Sequence, residues 1–137
     1  MIDLHTHTTF SDGTDTPTQL INKALAAGIT TIALTDHDSI SGWQEATSAL
    51  RPGICLVPGA EVSCQTLDGI SVHILGLLFD PSNTALIDTL EKTRENRYGR
   101  MEKIIAKINE AGIDISMSDV LEQLSDGATL GRPHLAD

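Results

Sequence analysis

Aromatic residues are almost missing: one Trp, one Tyr and two Phe make up 3% of the 137 residues. A core must therefore be built from Ile, Leu, Val and Ala. Cysteine is equally scarce. Cys55 and Cys64 form no Cys-x-x-Cys pair, and two thiols make no disulfide framework. They read as buried free thiols of a reducing compartment. No apolar run approaches the ~18 residues needed to cross a bilayer, which excludes a helical membrane span. No secretory leader is legible either, since Asp3, His5 and His7 interrupt the N-terminus at once. The expected location is the cytoplasm. Basic residues are also in short supply. Nine Lys and Arg against nineteen Asp and Glu give a formal net charge of −10. Proteins that bind long duplex nucleic acid carry a basic footprint, so such a partner is not expected.

What remains is an ordinary globular composition, 40% apolar and 20% charged, with no internal repeat. The length suits one domain with its own core. Residues 2–7 read as a strand. Residues 17–27 read as a helix, with Thr16 as N-cap, Pro17 in the first turn and Gly28 as the stop. Residues 30–35 are β-branched and apolar, the mark of a buried strand. A short helix over 41–50 ends at Pro52-Gly53. Strands follow over 54–58 and 70–79. Strand and helix in alternation imply a parallel α/β arrangement. The second half differs. Residues 83–111 form one long helical stretch ending at Gly112, its charged middle (91–100) read as a solvated face. Another short helix is expected over 118–124.

The polar residues with chemistry cluster around these strands. His5 and His7 are two apart in a strand, so both imidazoles lie on one face and can bite one cation. In Ser11-Asp12-Gly13 the glycine permits a tight turn that can aim Asp12 back at the histidines. Thr35-Asp36-His37-Asp38 follows the second strand, where sites of parallel α/β folds gather. Glu61 follows the third strand and needs a cation or a donor if buried. His73 interrupts an apolar run, as a hydrogen-bonded core histidine or as a ligand. Each signal is weak alone. Together they place metal-ligand types at every strand end of a sheet whose ends converge if it curves.

The ordered set His5-Thr6-His7, Ser11-Asp12-Gly13, Thr35-Asp36-His37-Asp38, Gly59-Ala60-Glu61 and His73-Ile74-Leu75-Gly76 resembles the PHP (polymerase and histidinol phosphatase) superfamily, most closely its TrpH-like branch. The resemblance implies part of a distorted (β/α)7 barrel with a helical insertion. Residues 1–80 would be the N-terminal half of the barrel, 81–130 the insertion and 131–137 the start of the return. It implies two or three divalent ions (Mn, Fe or Zn). His5 and His7 match ligands of the first ion, Glu61 a bridging carboxylate, Asp12 and His37 ligands of a neighbouring ion, and His73 a further ligand. Asp36 and Asp3 would orient imidazoles from outside. In Gly131-Arg132-Pro133-His134, Arg132 suits a phosphate through its forked guanidinium. His134 is read as a substrate contact, with proton donation to the leaving group or metal ligation as its other roles. The family pattern continues with ligands not found within these 137 residues. The chain is therefore expected to be half of a catalytic domain, lacking the C-terminal half of its barrel and leaving strand edges unpaired.

The function so implied is hydrolysis of a phosphate monoester on a small, nucleotide-like substrate, such as a nucleoside 3′,5′-bisphosphate, or of a short oligoribonucleotide. Hydroxide held on the cations would attack phosphorus. Ions adding roughly +4 to +6 would make a cationic pocket in an acidic protein. Histidinol phosphate is an alternative substrate. A degenerate module used only for binding, or a metal-storage domain, is the alternative class.

Overall fold

The computed structural model describes residues 1–124 and 128–135. The expected segments 81–130 and 131–137 are therefore seen only in part, and residues 125–127 and 136–137 lie outside the described residues.

The elements run β1 (Ile2–Thr6), α1 (Pro17–Ala26), β2 (Thr31–Leu34), α2 (Trp43–Ser48), β3 (Cys55–Gln65), β4 (Ser71–Leu77), α3 (Thr84–Glu110) and α4 (Met117–Leu121), then a 3-10 turn, Arg132–Leu135. Local chemistry explains most boundaries. Thr16 caps α1: its side chain accepts the Gln19 N–H, while the Gln19 side chain accepts the Thr16 N–H. Gly28 then leaves the helix at φ 77°, where glycine avoids a Cβ clash. Asn83 caps α3, and Ser116 with Asp119 forms a second capping box at α4.

The four strands form one curled half-barrel sheet in the order β1-β2-β3-β4. β1, β2 and β3 are parallel, as their alternation with helices requires. The expected third strand ended at residue 58, and there the structure differs. Only Cys55 to Pro58 pair with β2; the same strand then runs on through Gln65 and pairs antiparallel with β4, Glu61 opposite Leu75 and Ser63 opposite His73. Glu61 therefore sits inside a strand that crosses beyond the end of β2. The hairpin needs no helical crossover, only the short turn at 66–70.

A sheet face and two helices enclose the first core. Ile21 and Ala24 from α1, Ala46 and Ala49 from around α2, and Ile32, Leu34 and Ile54 from the sheet side are all buried. A second core joins Met101 and Ile105 of α3 to Val120 of α4 and Leu130. Both are aliphatic apart from methionine, as the shortage of aromatics dictates. Trp43 works at the margin: its indole N–H donates to the Gly59 carbonyl (2.8 Å) and its ring meets Phe79 at 5.1 Å. The thiols depart from expectation. Cys55 is exposed and Cys64 half-buried, because they lie toward the two ends of β3, away from its buried centre at Gly59 to Glu61. β1 and β4 are the sheet's edges, and Ile2 and Ile74 on them are more than half exposed. Among the described residues, no helix is long and apolar enough to cross a membrane.

Gly59 marks the handover of β3 from β2 to β4, and a Cβ there would lie 2.7 Å from the Gly76 carbonyl oxygen and 3.2 Å from Thr35 Cγ2. Gly59→Ala is expected to destabilise the chain by about 1–3 kcal/mol. Gly99, inside α3 with open space around its Cα, is the opposite case. Gly99→Ala should stabilise by about 0.5–1 kcal/mol. Urea unfolding of the two variants beside the parent checks both signs.

Candidate metal centre

β1 delivers His5, and His7 follows just past its end. The chain then folds back on itself. The Gly13 and Ser11 N–H groups both donate to the Thr8 carbonyl, so a Cβ at Gly13 would collide with the His7 backbone. The turn is held from beneath by Asp36, which is buried. Its carboxylate accepts the Thr8 N–H (2.7 Å), the Thr8 hydroxyl (2.6 Å) and the Ser11 hydroxyl (2.6 Å). These bonds compensate its burial. The fold-back brings Asp12 Oδ1 to 3.3 Å from His7 Nδ1. At the end of β2, the Glu61 N–H points at the carbonyls of Thr35 and Asp36, and the Asp38 N–H donates to the Glu61 carbonyl. His37 is thereby bridged to Glu61 across the backbone.

The result is a carboxylate, 7% exposed, set among four imidazoles. Glu61 Oε2 lies 2.8 Å from His5 Nε2 and 3.0 Å from His7 Nε2, and Oε1 lies 2.6 Å from His73 Nδ1. His37 Nδ1 stands 3.6 Å from Oε2, and His37 Nε2 is 3.4 Å from Asp12 Oδ2. Successive imidazole centroids, His5 to His7 to His37 to His73, are 5.0, 4.8 and 5.0 Å apart. Three overlapping groups can each enclose a cation: His5, His7 and Glu61; His7, Asp12 and His37; His37, Glu61 and His73. The donor set is imidazole and carboxylate, which suits Zn, Mn or Fe. The buried His37 Nδ1 has no hydrogen-bond partner. A buried nitrogen left so is costly, and a cation is the partner its surroundings fit.

Protonation agrees. Burial disfavours the charged form of His7 and outweighs the neighbouring carboxylates, so its pKa falls and the neutral ring prevails. The hydrogen bond from His37 holds the Asp12 carboxyl well below the usual range, at about 2, against the opposing effect of burial. For Glu61, burial works against the anion. The hydrogen bonds from His5 and His73 and the electrostatic attraction of the surrounding imidazoles outweigh it, and its pKa drops. Neutral imidazole and anionic carboxylate are the forms that coordinate metals.

The sequence-derived residues thus fall into three sets. His5, His7, Asp12, His37, Glu61 and His73 converge. Asp36 and Asp3 lie beneath or beside the cluster without touching a ring: Asp36 reaches His7 only through Ser11, whose Oγ is 3.2 Å from His7 Nδ1, and Asp3 accepts the His5 backbone N–H. Arg132 lines a cavity of about 350 Å3 together with Asp12, His37, His73, Arg97 and Arg100. His134 is not part of that lining. Its Nδ1 accepts the Gly131 N–H (3.0 Å) within its own turn.

The charged stretch 91–100 is not simply a solvated face. The Arg97 side chain is 15% exposed and pairs with Asp38, whose side chain is fully buried. Its Nε and Nη2 lie 2.9 and 2.8 Å from Asp38 Oδ2, Nη2 also donates to Ser63 Oγ (2.6 Å), and Nη1 donates to the Leu130 carbonyl (3.2 Å). Asp38 in turn accepts the Ser63 N–H and hydroxyl and sits at φ 49°, a region Asp tolerates better than most residues. The available signal was two arginines three apart on a helix, which share a face. Nothing in the sequence said that this face meets Asp38.

Comparison with known proteins gives a consistent result. A family model described as the PHP domain matches residues 3–127. A 5′-3′ exoribonuclease of Haemophilus influenzae is 38% identical over 135 residues, covering 98% of this chain and 48% of the relative. A 3′,5′-nucleoside bisphosphate phosphatase of Chromobacterium violaceum is 38% identical over 136 residues, covering 98% and 47%. A solved structure from Bifidobacterium adolescentis, assigned as a metal-dependent phosphoesterase, superposes with a TM-score of 0.90 at 38% identity, covering 99% of this chain and 48% of that one. The chain spans about half the length of the curated relatives it matches. With its ordered ligand types gathered on a curled half-barrel sheet, and a family model covering most of its length, the chain belongs to the PHP-domain family.

Proposed function

We propose that this chain provides the metal-binding half of a phosphoesterase acting on a small nucleotide or a short oligoribonucleotide. The observation that supports it best is the Glu61 carboxylate shared among His5, His7, His37 and His73, with Asp12 alongside. In this reading His5, His7 and Glu61 hold one cation, His7, Asp12 and His37 a second, and His37, Glu61 and His73 a third. Mn, Fe or Zn would be suitable. Bound there, divalent cations supply Lewis acidity that lowers the pKa of a water and offsets charge on phosphoryl oxygens. The chain's own residues then have defined tasks. His7, whose neutral form burial favours, keeps its lone pairs available. Asp36 fixes the turn that aims Asp12. Arg132 offers a forked donor to a non-bridging phosphate oxygen from the cavity wall. His134, with its Nδ1 held on the Gly131 N–H just outside that lining, is kept as a substrate contact in this reading. Residues 81–130 are read as an insertion that walls the substrate side, and the remaining ligands would come from a second half-barrel. The free, accessible thiols suit a reducing cytoplasm.

A bisphosphate monoesterase and an exoribonuclease acting on short RNA need the same phosphorus chemistry, and relatives are described as a 3′,5′-nucleoside bisphosphate phosphatase and as 5′-3′ exoribonucleases. A module kept only for binding would have no need of six converging ligand residues.

Metal binding is the first test. Titration with Mn2+ or Zn2+, followed by calorimetry and elemental analysis, should show cations retained by the parent chain. Glu61→Gln should weaken that binding by at least about tenfold, since even outer partners of metal ligands are worth ten- to a hundredfold. Activity is the second test, run on the longest natural polypeptide that contains this chain. With Mn2+ present, a nucleoside 3′,5′-bisphosphate and a 5′-phosphorylated short RNA should be turned over faster than histidinol phosphate. His7→Ala combined with Glu61→Ala should abolish turnover, and undiminished turnover in that variant refutes the assignment. Arg132→Ala should raise KM about tenfold or more, the scale of one charged hydrogen bond.

A further inference from the structure

We propose that Arg97 is a positioning residue that ties the substrate side of the cavity to the metal cluster. It belongs to α3, and its one guanidinium touches three separate segments. It meets Asp38, the residue after His37; Ser63, two residues after Glu61 on β3; and the carbonyl of Leu130, two residues before Arg132. Three of its N–H donors make hydrogen bonds of 2.6 to 3.2 Å, and Nη2 also lies 2.8 Å from Asp38 Oδ2. Each segment carries a residue of the proposed site, and α3 itself carries Arg100 into the same cavity. The segment is also held by the Thr129 N–H on the Phe10 carbonyl (2.8 Å) and by the Gly131 N–H on His134 Nδ1 (3.0 Å).

The cost of the arrangement argues for its use. Asp38 is fully buried and could be satisfied in part by Ser63 alone, through its N–H (2.7 Å) and hydroxyl (2.8 Å). Burying a guanidinium as well carries a desolvation penalty that apolar packing avoids. The pair achieves what apolar packing does not: a rigid planar fork of fixed reach that sets three segments in one register. Lysine cannot replace it. An ammonium can neutralise Asp38, but as a point charge on a flexible stem it cannot reach Ser63 and Leu130 together.

The inference rests on the proposed reading of Arg132 as a phosphate contact, so the test has two arms. The first uses the 137-residue chain without substrate. In Arg97→Lys, hydrogen exchange at the Thr129, Leu130 and Gly131 amides should rise about tenfold while β2 and β3 keep their protection. Exchange unchanged at those amides, or raised uniformly over the sheet as in general destabilisation, overturns the proposal. The second arm uses the longest natural polypeptide with Mn2+. Arg97→Lys should raise KM for the phosphoester about tenfold, with kcat and Mn2+ affinity within about threefold of the parent. Weakened metal binding with KM unchanged overturns it. Should the parent polypeptide hydrolyse no phosphoester, the functional reading fails, and the exchange arm still decides whether Arg97 positions the segment.

Discussion

The site depends on placing one carboxylate where it is expensive to have one. Glu61 is almost fully buried, and an ion in such a place must be matched by donors or cations. The fold meets this demand by gathering His5, His7, His37 and His73 around it, from two strands, the end of a third and a loop. The means is the double allegiance of β3. Its first residues pair parallel with β2, and its later residues pair antiparallel with β4. Glu61 lies in the second part, so it crosses the mouth of the parallel strands where the histidines emerge. Had β3 ended at Pro58, the carboxylate would hang on a loop.

Around this centre the polar groups form a graded set of supports. Asp36 is spent wholly on Thr8 and Ser11, and so fixes a turn and not a ring. Asp38 is spent on Ser63 and Arg97, and so joins two strand ends to a helix. These two acids stand on either side of His37 and both are buried, yet their carboxylates serve opposite sides of the site. The chain turns at Asp38 (φ 49°), so Asp36 bonds back to Thr8 and Ser11 while Asp38 bonds onward to Ser63 and Arg97. Between them, the buried His37 Nδ1 lacks a hydrogen-bond partner and is free to meet a ligand.

The surface charge takes on a different meaning once these positions are known. The formal excess of acid is spread over the chain, but the cavity beside the cluster is lined by Arg97, Arg100 and Arg132. An anion approaching a net acidic protein thus meets basic side chains at the one place where cations would also gather.

Composition and spacing determined much of this protein. The scarcity of aromatics dictated aliphatic cores, the caps at Thr16 and the stop at Gly28 set α1, and alternation of strand and helix dictated parallel pairing for β1 to β3. The ligand types were legible because each is a short local motif: two histidines two apart, an acid before a glycine, a histidine where a strand ends. Tertiary structure alone decided which of them meet. It carried Glu61 inside a strand, turned β4 antiparallel, directed Asp36 to a turn and His134 to its own backbone, and buried Arg97 from a helix that reads as solvated. The physical reason is range. Capping, periodicity and turn chemistry act within a few residues and are written in the local sequence. A salt bridge between Asp38 and Arg97 joins residues 59 apart, and only the packed chain brings them together.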